Sequence, residues 1–322
     1  MQRRAMLTTA GLALAAPRPA AAQAWPARPI RIIVPFPPGG PNDIIARLYA
    51  PQLQAILGQG VVLENRGGGG GVVGTDAALK ASPDGTTFAI TNGGSLVITP
   101  HVSANMPYRV PDDMTLVSVV TLVPEALVAN PRLGVKTLAE LVALAKREPG
   151  RLNIGTAGAA GISHLAAELF RVQTGTDVVV VPYRGAAPAV TDIVAGQIGL
   201  LFADLPVILP QIRAGTLTAL AMASERRSPV LPDLPTTAEQ GFPGLLADNW
   251  YCMVAPPRLP EAILERMSAA LRTASETPAV RDALAAQGAQ AVWTAQAAFA
   301  EMVRVESAKW ERIARAANVR TD

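Results

Sequence analysis

The apolar run at Ile30, Ile32, Ile33 and Val34 ends abruptly at Pro35, and that stop limits the fold more than any other feature of the chain. A short β-branched run of this kind makes a strand buried in a parallel sheet. It cannot continue as ladder, because Pro35, Pro37 and Pro38 remove donors and fix φ. Gly39 and Gly40 then let the backbone turn, and Ile44 to Tyr49 reads as a helix with Asn42 or Asp43 as its N-cap. The corner from Phe36 to Gly40 thus combines main-chain N–H groups with a positive helix end. Such a corner suits an anion, most simply a carboxylate, without any basic side chain.

Strand, small polar corner and helix recur along the chain. After a helix from Asp43 to Leu57, interrupted by Pro51, comes the strand Val61 to Asn65 and then five glycines, Gly67 to Gly71. Gly69 to Gly74 matches G-x-G-x-x-G, but it follows the second strand, and no acid between Asp84 and Asp112 could hold a ribose. The dinucleotide reading is therefore rejected. The next strand ends in Thr91-Asn92-Gly93-Gly94-Ser95. A second series brings the loop Thr156 to Gly161, a helix from Ser163 to Gln173, the corner Tyr183-Arg184-Gly185, and a strand ending on Asp204. This alternation predicts an α/β protein with two mostly parallel sheets flanked by helices and sites at strand C-termini. Strand-like segments around Pro124 mark one crossing between lobes, and Trp250 to Ala255 marks the return. The expected division is residues 23–122 plus 249–322 in one lobe and 123–248 in the other, with a ligand cleft between and hinge closure over it.

Met1 to Ala22 reads as an export leader: Arg3-Arg4, an apolar run from Ala5 to Ala16, and a small-residue cleavage site at Ala20-Ala21-Ala22. The apolar run is far shorter than the roughly 20 residues that span a bilayer. Removing Arg3, Arg4 and Arg18 from 28 basic residues leaves 25 against 25 acids. That balance, without any basic and aromatic cluster, points away from a nucleic-acid partner. The single cysteine, Cys252, excludes an internal disulfide and reads as a buried strand thiol.

An α/β enzyme acting on a small carboxylate is the competing reading. No G-x-S-x-G elbow occurs, and two histidines with one cysteine are few ligands for a metal. His164, in the first helical turn after a glycine loop, reads as a packing or capping residue at the cleft floor. Arg66 reads as a surface charge and Trp250 as core. Arg184 could pair a carboxylate. Asp204, a lone acid closing an apolar strand, could accept a hydrogen bond from an ammonium or hydroxyl group.

Several motifs together resemble the periplasmic substrate-binding proteins of tripartite tricarboxylate transporters, the Bug-type receptors. They are VPFPPGGPND over 34–43, ENRGGGGG over 64–71, SHLAAELF over 163–170, VPYRG over 181–185, PDLPT over 232–236 and AEQG over 238–241. The resemblance implies a bilobal type II periplasmic-binding-protein fold, a monomer without metal or cofactor. It implies a ligand that is a di- or tricarboxylate, an acidic amino acid or an aromatic carboxylate, and partners that are membrane permease subunits or a sensor. It also implies that two opposed loops, Phe36 to Gly40 and Thr156 to Gly161, hold the carboxylate through main-chain groups and ordered water. The expected site is Phe36, Pro38, Gly39, Gly40, Asn92, Thr156, Ala157, Gly158, Ala159, Gly161, His164, Arg184, Gly185 and Asp204. The chain departs from the family pattern at Gly67, where a proline is usual, and at Ala160 and Gly161, where glycine and a hydroxyl residue are usual.

Overall fold

The computed structural model describes residues 25–320. The leader expected over 1–22 lies outside them. Strand β1 (Ile30–Val34) runs into helix α1 (Pro41–Leu57), which continues unbroken through Pro51, and β2 (Val61–Asn65) returns beside β1. Helix α2 (Val72–Leu79) and β3 (Thr87–Asn92) follow, then a π-helical turn over Gly94–Ile98 and a short helix α3 (Thr99–Val102). Strand β4 (Thr115–Val123) ends the first passage.

Strand β5 (Glu125–Ala129) starts one residue after β4 and already belongs to a different sheet. Within that sheet come α4 (Leu138–Arg147), β6 (Asn153–Thr156), α5 (Ile162–Thr174), β7 (Val179–Pro182), α6 (Ala186–Ala195), β8 (Leu200–Asp204), α7 (Leu205–Arg213) and β9 (Thr218–Met222). The chain returns as β10 (Asn249–Ala255), then α8 (Glu261–Glu276), α9 (Pro278–Ala285), β11 (Gln290–Ala291) and α10 (Gln296–Ala316).

The first sheet has the order β11-β4-β10-β3-β1-β2 and the second β7-β6-β8-β5-β9. Leaving β11 aside, the two follow one pattern. Three strands are parallel, β2-β1-β3 in one and β7-β6-β8 in the other. A fourth strand, β10 or β5, is antiparallel to both of its neighbours. Four strands of each sheet thus point the same way, in line with the mostly parallel sheets that the sequence pattern predicted, and one member runs against them. The reason lies in the connections: the antiparallel member of each sheet is the strand that has just arrived from the other, whereas parallel neighbours are joined by crossover helices.

Packing follows from the strand pattern. Ile30, Ile32, Val34, Phe88 and Ile90 lie buried beneath Ile45, Tyr49 and Leu53 of α1 and Leu271 of α8. The Tyr49 hydroxyl donates to the carbonyl of Val120 at 2.6 Å and meets Ser275 Oγ at 2.9 Å, tying α1 to β4 and α8. Trp250 is buried edge-on against Phe299 of α10, with ring centroids 5.7 Å apart. Cys252 is buried, and burial pushes its thiol well above the ordinary range, so it is an inert core group. Among the described residues no helix is long and apolar enough to cross a membrane.

Candidate functional site

The first corner is built tighter than its sequence indicates. Helix α1 begins at Pro41 with Gly40 as N-cap, and Asp43 sits in the first turn instead of capping it. The Asp43 carboxylate reaches back to accept the Gly39 N–H at 3.0 Å, and it also accepts Arg47 Nε at 2.8 Å and Asn65 Nδ2 at 3.0 Å. Burial alone would push this carboxyl up, but the bonds from Arg47, Gly39 and Asn65 outweigh it and hold the group below the ordinary carboxylate range. The Gly39 donor is thereby occupied. Gly40 and Asn42 keep main-chain N–H groups with no protein partner among the described residues.

Because Asp43 clamps the loop as an anion, Asp43→Ala is expected to cost between about 1.5 and 3 kcal/mol at neutral pH, the range for hydrogen bonds to a charge. Its depressed carboxyl contributes stability above the unfolded value, and that contribution is lost as pH falls through the folded value. Urea midpoints of the two proteins should accordingly differ at pH 7 and converge near pH 3. A difference that persists undiminished in acid would assign the effect to packing.

A second corner joins the first through side-chain amides. Asn42 Nδ2 donates to the Ile90 carbonyl at 3.1 Å, and Asn92 Nδ2 donates to Asn42 Oδ1 at 3.2 Å. Asn92 Oδ1 in turn accepts the Ser95 N–H, while Ser95 Oγ donates to the Gly70 carbonyl at 2.8 Å. The glycine run is thus tied to the strand ends. Gly71 has φ +96, and a Cβ there would lie 2.5 Å from Ser95 Oγ and 2.9 Å from the Phe36 ring. A side chain at that point would separate the two corners.

In the second sheet, the loop after β6 is held from within. Thr156 is buried and its hydroxyl bonds the Gly158 carbonyl at 3.1 Å, while Ser163 Oγ accepts the Ala157 N–H at 3.0 Å. Ala160 takes φ +57, and its N–H donates to His164 Nδ1 at 2.9 Å. His164 is half-buried, 3.8 Å from Glu168 through Nε2, and burial pushes its pKa down. Its ring acts on the loop. Helix α5 has Gly161 as its N-cap, and α6 has Gly185 next to the exposed Arg184, whose side chain has no carboxylate partner among the described residues.

Between the sheets lies a cavity of about 760 Å³, part of it open to solvent. The N-termini of α1, α5 and α6 converge on it. Of the residues expected from sequence, Phe36, Pro38, Gly40, Asn92, Ala157, Gly158, Ala159, Gly161, Arg184, Gly185 and Asp204 line it. Gly39, Thr156 and His164 lie behind the lining, bonded to Asp43, Gly158 and Ala160 respectively. Sequence reasoning did not count Asn42, Ser95, Ser163, Glu125, Asn249 or Tyr251 among the lining residues.

The last three of these form the far wall with Asp204. Glu125, the first residue of β5, pairs directly with Asp204, the last of β8. Asn249 Nδ2 donates to Asp204 Oδ1 at 3.1 Å, and the Tyr251 hydroxyl donates to Asp204 Oδ2. Burial pushes the Asp204 carboxyl up to about 6 despite those donors. Burial and then the charges of Asp204 and Asp248 push Glu125 well above the usual carboxylate range. A lone acid at the head of the apolar strand EALVA was the available signal for Glu125. Among the described residues, no group of three or more His, Cys, Asp or Glu side chains could hold a metal ion.

Comparison with known proteins agrees with this architecture. The profile described as the tripartite tricarboxylate transporter family receptor matches residues 45–319. Protein BugT of Bordetella pertussis is 38% identical over 310 residues, 96% of this chain and 94% of its own length. An R. palustris protein solved with adipate is 32% identical with a TM-score of 0.89, covering 92% of this chain and 99% of that one. MatC of Rhodopseudomonas palustris, solved with bound malate, is 31% identical with a TM-score of 0.84, covering 90% and 99%. With two matched sheets, a cavity between them and a family match over most of its length, the chain belongs to the receptor family of the tripartite tricarboxylate transporters.

Proposed function

We propose that this protein is an exported, periplasmic, monomeric solute receptor that captures a small organic acid between its two sheets and delivers it to membrane permease subunits. A sensor is a further recipient. The observation that carries this reading is the meeting of three helix N-termini, α1 from one sheet and α5 and α6 from the other, on a single cavity. Each end presents main-chain N–H groups and positive potential, so together they favour an anion that bridges the sheets. Arg184, exposed and on the lining, adds a cation for a second carboxylate. Adipate and malate in the two R. palustris structures are both dicarboxylates, which is the ligand chemistry such a cavity accepts.

The same site offers little for catalysis. His164 spends Nδ1 on the Ala160 N–H and does not line the cavity, so it cannot act as a base on a bound ligand. Ser95 and Ser163 are hydrogen-bonded to loop backbone, and His164, next to Ser163 in the chain, bonds Ala160 instead of either hydroxyl. The receptor reading is tested by a thermal-shift screen of the mature protein against a carboxylate library. A ligand present at a hundred times its dissociation constant should add about 2.7 kcal/mol of stability and be recovered unchanged by NMR. Conversion of the ligand above background, lost in Asp204→Asn, would establish an enzyme instead.

A further inference from the structure

Glu125 is a lining acid that the carboxylate reading leaves unexplained. It is 2% exposed, it faces the cavity, and its Oε2 has no hydrogen-bond partner. Asp204, 5% exposed and opposite Glu125 on the neighbouring strand, has both oxygens fixed by Asn249 and Tyr251 of the first sheet. Two buried acids side by side are costly unless something positive or proton-donating completes them. Asn249 and Tyr251 donate to Asp204, but Glu125 Oε2 receives no donor, and no arginine or lysine contacts either carboxylate among the described residues. We infer that Glu125 and Asp204 form a cation subsite, and that the captured acid is an amino acid whose ammonium group sits there while its carboxylate meets the helix N-termini opposite. This rests on the carboxylate reading above and names the ligand class within it.

The chemistry discriminates among alternatives. A second carboxylate placed against this wall would face two acids, so a plain dicarboxylate must keep both of its ends on the donor side. A hydroxyl offers a single donor and leaves the charge unbalanced. An ammonium group carries three donors and a charge, enough to bond Glu125 Oε2 and a free lone pair of Asp204 together. A metal ion would need more ligands than this pair, and no third His, Cys, Asp or Glu joins them among the described residues.

The test is isothermal titration of the mature protein at pH 7.5 with matched pairs that differ only by an amino group: aspartate and succinate, glutamate and glutarate, 4-aminobutyrate and butyrate. In at least one pair the amino member is expected to bind ten-fold or more tightly than its partner. Glu125→Gln should reduce that preference at least ten-fold and leave the unsubstituted acid as tight or tighter. Asp204→Asn should act in the same direction, which guards against one variant failing to fold. Unliganded melting points must stay near wild type, and Glu125→Gln removes a buried ionisable group without changing shape. If unsubstituted acids bind as tightly as their amino counterparts, or if both classes weaken equally in Glu125→Gln, the cation subsite is overturned and the receptor reading survives. If no carboxylate of either class binds, both are overturned.

Discussion

Gly40→Pro is expected to weaken carboxylate binding by about ten- to a hundred-fold while leaving the protein folded. Between Pro35 and Pro41 only Phe36, Gly39 and Gly40 carry a main-chain N–H. Asp43 already occupies the Gly39 donor, and Pro41 opens the helix without one. Gly40 is therefore the last free donor before the α1 axis, where the helix end adds its positive potential. A proline deletes that hydrogen and little else. Gly40 has φ −83, close to the value a proline ring imposes, and the nearest atom to an added Cβ is the Pro37 carbonyl oxygen at 3.6 Å. A hydrogen bond to a charged group contributes roughly 1.5–3 kcal/mol, which sets the expected fold-change. Titration calorimetry reads the loss, and unchanged circular dichroism and melting show that the loop is intact. Unaltered binding in Gly40→Pro, together with abolished binding in Arg184→Ala, would transfer the anchor from backbone to side chain.

Gly74→Ala is expected to destabilise the first sheet by about 3 kcal/mol, the upper end for an overpacked site. The added Cβ would lie 2.4 Å from the Arg66 carbonyl oxygen and 2.6 Å from Pro35 Cα. Both are backbone atoms and neither can rotate aside, so α2 would have to lift away from the end of β1. Gly60→Ala is the matched control, with its nearest neighbour 3.8 Å from the added carbon. Urea midpoints should fall for the first variant and stay level for the second. A Gly74→Ala protein as stable as wild type would show that α2 floats over the sheet instead of bracing the corner.

Gly74 also shows how a motif can be legible in form and silent in purpose. It is the third glycine of a G-x-G-x-x-G, and close helix-to-strand packing is that glycine's ordinary task in nucleotide folds. The same packing need recurs here, so the spacing recurs without a nucleotide. The strands and helices were readable because apolar periodicity and Gly-Pro punctuation agree along most of the chain. The role of Asp43 was not readable. Whether an acid near a helix start caps forward or reaches back depends on where the first helical residue falls, and Pro41 moved that point two residues earlier than expected. His164 lies in a first helical turn as the sequence indicates, but its ring turns toward Ala160 and not toward the cavity, which no sequence pattern records. Glu125 escaped because its partner Asp204 lies on another strand, and no local pattern records a cross-strand neighbour.

The exchange of β5 and β10 between the sheets carries an implication for the order of assembly. Every strand of the second sheet comes from one unbroken stretch, Glu125 to Met222, so its pairings close short loops. The first sheet has to wait: β4 and β3 join only through β10, which brings Val123 against Asn249 across the whole of the second sheet. Long loops cost entropy before any contact rewards them, so the half of the molecule that emerges first is the half that finishes last. The leading portion of the chain therefore stays open until its trailing portion has been made.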